Sequence, residues 1–155
     1  MHMDMNKQQS TPEAARALAM AVELRVLFGK LRRRLREQAN PGDFTWSQTS
    51  VVLHLEREGA ATVTALARAE GVRPQSMGAT IATLEAAGLV SGAPDPGDGR
   101  QTIWSLTAAC QEMLKVGRAA KEDWLSRAIQ TEFAPAEQEQ LAHAIELLKR
   151  LADSE

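Results

Sequence analysis

The chain has 155 residues, a formal net charge of −2 and 44% hydrophobic residues, the proportions of one globular domain and not of a polycation. Its single cysteine, Cys110, excludes an intrachain disulfide framework and any multi-thiolate metal site. No apolar run approaches the ~20 residues a membrane span needs, and the polar start lacks a signal-peptide core. A reducing, cytoplasmic setting with no membrane partner is therefore expected.

Residues 1–11 are too polar to bury an apolar face and are expected to be a disordered tail. Pro12 suits a first helical position, and a long helix is predicted to about Ala39. Leu24, Leu27, Phe28, Leu31 and Leu35 form one apolar stripe on it, and Leu18, Val22 and Val26 a second. Two stripes call for two partners, the body of the domain and something else, such as another subunit. Asn40-Pro41-Gly42-Asp43 breaks the helix.

Thr45 and Gln48 have the spacing of a capping box that opens a second helix, with Val51, Val52 and Leu55 inward and Gly59 ending it. Thr62 caps a short third helix ended by Gly71. Pro74 opens a fourth, with Met77, Ile81 and Leu84 buried and Gly88 just past its end. The period then changes. A strand begins at Leu89-Val90, a turn-rich loop follows at residues 94–99, and a second strand runs from Gln101 to Leu106. Thr107 caps a long fifth helix with Met113, Gly117, Ala120, Trp124 and Ala128 on one face. Ala134-Pro135 starts a sixth, striped by Leu141, Ile145, Leu148 and Leu151. The expected fold is mainly α with a small β-hairpin wing, a winged helix-turn-helix over residues 45–107.

Three stretches carry a resemblance. They are Phe44-Thr45-Trp46-Ser47-Gln48 with Leu53 and Gly59; residues 62–67, Pro74-Gln75-Ser76-Met77 and residues 84–90; and the wing, residues 94–100, followed by Ser105-Leu106-Thr107. In this order and at these spacings the chain resembles the MarR family of bacterial transcription regulators over about residues 18–151. The resemblance implies one domain over residues 12–155, whose helices at 12–39 and 108–153 build a homodimer. It implies a repressor of pseudo-palindromic operator DNA, released by a small, often aromatic, ligand. No enzymatic role and no cofactor are expected, because no nucleophile–base pair, phosphate loop or dinucleotide fingerprint is present.

The candidate DNA contacts are Arg73, Gln75, Ser76, Ala79, Thr80, Thr83, Asp98 and Arg100. With Met77, Ile81 and Leu84 buried, Gln75, Ala79 and Thr83 fall on the opposite face, flanked by Ser76 and Thr80. Gln, Ser and Thr are base- or phosphate-contacting types, and Arg100 matches the last arginine of the family's wing motif. Asp98 matches the wing aspartate, as an arginine partner or an Asx-turn residue. The family often has arginine where this chain has Ala79, Thr83, Gly92 and Gly99. Across residues 62–107, Arg68, Arg73 and Arg100 face Glu70, Glu85, Asp95 and Asp98, a net acidic window. That balance leaves open a dimeric interaction protein with weakened DNA binding. The run Lys30, Arg32, Arg33, Arg34 and Arg36 reads either as compensating positive charge or as a solvated face.

Family topology gives Phe28, Trp46, Val51 and Met113 as candidate ligand-lining residues, with His54 as a hydrogen-bonding group. Each has an alternative reading as core or structural residue. His2, His54 and His143 show no metal-ligand spacing. Cys110, near a helix start, reads either as a low-pKa thiol or as a small buried hydrophobe.

Overall fold

The computed structural model describes residues 11–39 and 44–155. Of the expected tail at residues 1–11, residues 1–10 lie outside them, as does the break at residues 40–43, whereas Thr11 accepts from the Ala14 amide at 3.1 Å at the start of the first helix. The described chain forms two units, one containing the first helix and the other running from Ala39 to Glu155. Helix α1 (Pro12–Gln38) is a continuous helix with no buried residue, and it exposes Leu18, Val22, Val26, Leu27 and Phe28.

The second unit follows the order α2 (Trp46–Glu58), β1 (Ala61–Thr62), α3 (Val63–Glu70), α4 (Pro74–Ala86), β2 (Val90–Pro94), β3 (Thr102–Leu106), α5 (Ala108–Glu132) and α6 (Pro135–Ala152). Local chemistry sets most of these boundaries. Thr45 Oγ1 accepts from the Gln48 amide while the Thr45 amide donates to Gln48 Oε1, so two of the unpaired donors at the start of α2 are satisfied. Thr62 caps α3 and Thr107 caps α5 in the same manner, without the reciprocal bond. Gly71 and Gly88 take φ of 67° and 75°, the left-handed conformation that ends α3 and α4. Beyond α4, the Leu89 amide donates to the Leu84 carbonyl and the Gly88 amide to that of Glu85, the paired bonds of a Schellman ending.

The sheet has three antiparallel strands in the order β1-β3-β2. The hairpin of β2 and β3 is the predicted wing, with Gly92 opposite Trp104 and Val90 opposite Leu106. Strand β1 was absent from the sequence reading. It is two residues long and exists through pairing of Ala61 with Trp104 and Thr62 with Ile103. The core lies between α2, α3, α4 and the sheet. Its members are Val51, Val52, Leu55, Leu66, Ala67, Met77, Ile81, Leu84, Leu89 and Val90, with Cys110 from α5. All six inward positions assigned to α2 and α4 are buried. The predicted face of α5, Met113 to Ala128, is half-buried along its length. On α6, Leu141 and Leu148 are half-buried, while Ile145 and Leu151 are exposed.

The wing explains one departure from the family pattern. A Cβ at Gly92 would stand 2.6 Å from Thr102 Cγ2 and 3.1 Å from the Trp104 ring. No side chain fits there without displacing these neighbours. We predict that Gly92→Ala lowers unfolding free energy by roughly 1–3 kcal/mol. Chemical denaturation checks this; an unchanged midpoint would show that Thr102 and Trp104 yield freely.

Candidate nucleic-acid interface

Helix α4 is held by its buried stripe and by a turn from α3 through Gly71 to Arg73. Burial of Met77, Ile81 and Leu84 leaves Gln75, Ser76, Ala79, Ala82 and Thr83 exposed, with Thr80 half-buried beside them. These five and Thr80 are uncharged, and all but Gln75 are small, so a second surface can approach the backbone closely. Gln75 and Ser76 stand in the first turn. Arg73 immediately precedes it as the N-cap residue and makes no capping hydrogen bond through its side chain.

Hydrogen bonds tie this face to the start of α2. Gln48 Nε2 donates to Thr83 Oγ1 at 2.9 Å. Thr83 Oγ1 donates to the Thr80 carbonyl at 2.6 Å, and Thr80 Oγ1 to the Ser76 carbonyl at 3.2 Å. Sequence reading assigned Gln48 to the capping box alone. Its second bond spans 35 residues and has no local signature. Between Ser50 and Glu70 a 2.6 Å hydrogen bond joins α2 to α3.

The wing loop is built by its own acids. Asp95 Oδ1 accepts from the Gly97 amide at 2.9 Å, and Asp98 Oδ1 from the Arg100 amide at 3.1 Å. Asp98 is therefore an Asx-turn residue that shapes the backbone at Arg100. Among the described residues, neither Arg73 nor Arg100 has a carboxylate within ion-pair distance. Gly99 has open space around its Cα.

Val51 is 0% exposed within the core, and Met113 packs against that core. His54 is half-buried, and Phe28 is an exposed residue of α1. Trp46 is 67% exposed. It borders a shallow groove of about 140 Å³ with Ser50, Glu70, Val72, Ser76 and Thr80. That volume falls below the ~300–1,000 Å³ of pockets for drug-sized ligands.

Cys110 is fully buried, and burial pushes its thiol above the ordinary range, with the Glu56 carboxylate adding to the shift. The small-hydrophobe reading fits this environment and the reactive-thiolate reading does not. Because the folded pKa exceeds the unfolded one of about 9, the folded state keeps its proton where the unfolded state loses it. The thiol's contribution to stability is therefore constant below that pH and is lost as pH rises past it. Alkylation by iodoacetamide should proceed only as fast as unfolding exposes the thiol; rapid labelling of native protein at pH 8 would contradict this burial.

Comparison with known proteins agrees with this architecture. The model of the MarR family matches residues 43–101, from the start of α2 into the wing. An HTH-type transcriptional regulator of Mycobacterium bovis is 37% identical over 134 residues, covering 86% of this chain and 93% of the relative. One from Mycobacterium tuberculosis matches to the same extent. A crystal structure of a Pseudomonas aeruginosa transcriptional regulator protein superposes with a TM-score of 0.76 at 35% identity, covering 90% of this chain and 98% of that one. A Staphylococcus aureus MepR variant bound to an oligodeoxyribonucleotide shares the fold, with a TM-score of 0.66 at 17% identity over 85% of this chain and 97% of that one. No helix among the described residues is long and apolar enough to cross a membrane. The relatives are regulators and not enzymes, and by its sequence, its winged helix-turn-helix and these likenesses the chain belongs to the MarR family of transcriptional regulators.

Proposed function

We propose that the protein is a homodimeric repressor that binds pseudo-palindromic operator DNA. In this reading α4 enters the major groove and the wing meets the minor groove or the backbone. The observation that carries it is the exposed, uncharged face of α4, with Arg73 at its start and Arg100 in the wing loop both without an acidic partner among the described residues. Gln75 and Ser76, in the first turn, are the base-reading positions of a recognition helix. Ala79 lets the backbone approach, and Thr80 and Thr83 supply hydroxyls. Arg73 contacts phosphate, Arg100 inserts in the groove beside the wing, and Asp98 holds the turn that aims it. The DNA-bound MepR structure supports this use of the shared fold.

Dimerisation is supported by apolar residues that α1 and α6 leave exposed, among them Leu18, Val22, Ile145 and Leu151. The single-domain arrangement, with residues 45–107 as reader and the helices at 12–39 and 108–153 as the dimer interface, belongs to the same proposal. Release by a small, often aromatic, ligand belongs to the same reading, with Trp46, His54 and Met113 as candidate contacts and Val51, buried in the core, set aside. The test is selection from randomised duplexes combined with sedimentation of the complex. The expected result is a twofold-symmetric consensus bound by two chains. No consensus at any salt concentration would instead favour a winged-helix interaction protein.

Gly99 offers a gain-of-function check. Because space around it is open, Gly99→Arg adds a cation without disturbing the loop. Binding should tighten on all duplexes, and the log–log salt slope should steepen by about 0.9, one neutralised phosphate. An unchanged slope would place the wing tip away from DNA.

A further inference from the structure

Two threonines on the exposed side of α4 have already committed their hydroxyl hydrogens. Thr83 Oγ1 lies 2.6 Å from the Thr80 carbonyl oxygen, and Thr80 Oγ1 lies 3.2 Å from that of Ser76. A carbonyl oxygen only accepts, so each hydroxyl is the donor. Thr83 is fixed further by Gln48. The Thr45 amide donates to Gln48 Oε1 at 2.9 Å, which identifies the other end of that side-chain amide as its NH₂ group. That group donates to Thr83 Oγ1, also at 2.9 Å. Thr83 thus gives its hydrogen to one neighbour and one lone pair to another, leaving a single lone pair for an outside group. Threonine in a helix divides between two rotamers, both able to bond a preceding carbonyl. The Gln48 bond selects one of them for Thr83.

This commitment decides what α4 can recognise. Phosphate oxygens, guanine O6 and N7, and thymine O4 are all acceptors, and Thr83 would have to break its 2.6 Å bond to serve them. The donors on the major-groove edge are the exocyclic amino groups of adenine and cytosine. We propose that Thr83, positioned by Gln48 and seconded by Thr80, selects an amino base, adenine or cytosine, over a keto base at one position on the contacted strand of each half-site. This rests on the DNA-reading role proposed above for α4. Gln48 is a positioning residue here, and Thr83 makes the contact.

The test begins with the consensus duplex selected by the wild-type protein. Each adenine is replaced in turn by purine, or each cytosine by 2-pyrimidinone, analogues that lack only the amino group. Affinities are measured by anisotropy for wild type, Thr83→Val, Thr83→Ser and Gln48→Met. At one position per half-site, loss of the amino group should weaken wild type about three- to tenfold, the worth of one hydrogen bond. Thr83→Val should lose nothing further at that position, and Thr83→Ser should behave as wild type. Gln48→Met should lose most of that discrimination while keeping the preferences at other positions, which a merely structural role for Gln48 would not produce. Equal losses in wild type and Thr83→Val at every position would overturn the proposal, as would a keto base wherever Thr83→Val changes the preference. A consensus without this coupling overturns this proposal alone, whereas failure to select any consensus overturns the DNA-reading role as well.

Discussion

Replacing Arg100 by alanine should weaken operator binding about 5- to 150-fold, corresponding to roughly 1–3 kcal/mol. The expectation rests on two features. Asp98 uses its carboxylate on the Arg100 amide, so the turn shapes the backbone there while no carboxylate among the described residues pairs with the guanidinium. The net acidic balance of residues 62–107 also leaves few other cations to share the role. Anisotropy on specific and scrambled duplexes separates the two kinds of contact. Loss confined to the specific duplex marks insertion in a sequence-dependent groove. Equal loss on both, with a salt slope reduced by about one, marks a phosphate contact. Affinity unchanged on both would remove Arg100 from the interface.

Leu66→Ala should have the largest effect on stability, a loss of roughly 2–5 kcal/mol. Leu66 is 0% exposed and lies in α3, within the cluster that also holds Ile81 and Leu84 of α4. Truncation there leaves a cavity under the helix-turn-helix, in a region where β1, α3 and α4 leave little room to collapse. A small domain has about 5–15 kcal/mol in total, so much of its margin would go. Urea denaturation at fixed protein concentration checks this, since association makes apparent stability depend on concentration. The midpoint should drop with little change in slope. A loss below 0.5 kcal/mol, the range of surface substitutions, would mean that the core is not packed as described.

What was legible in the sequence was what local chemistry decides. Thr45, Thr62 and Thr107 cap helices, Gly71 and Gly88 end them, and Pro12, Pro74 and Pro135 open them. The buried stripe of α4 followed from its period, and with it the exposed face opposite. Contacts between distant segments were not legible. Strand β1 has no sequence signature because two residues become a strand only when β3 supplies partners. The crowding at Gly92 depends on Thr102 and Trp104 across the hairpin, so its glycine read only as a missing arginine. Gln48 looked complete as a capping residue, and nothing nearby announced Thr83 as its second partner. Val51 was carried over by family topology as a ligand contact, whereas its side chain lies in the core.

Helix α4 and the wing are expected to read DNA sequence despite the acidic balance of residues 62–107. Anisotropy of the full chain on the DNA beside its own gene, against a scrambled duplex of equal length across a salt series, tests it most directly. Binding to the native duplex at physiological salt should be at least ~10³-fold tighter than to the scrambled one, the lower end for specific readers. Equal, weak binding to both duplexes, abolished together as salt rises, would contradict it.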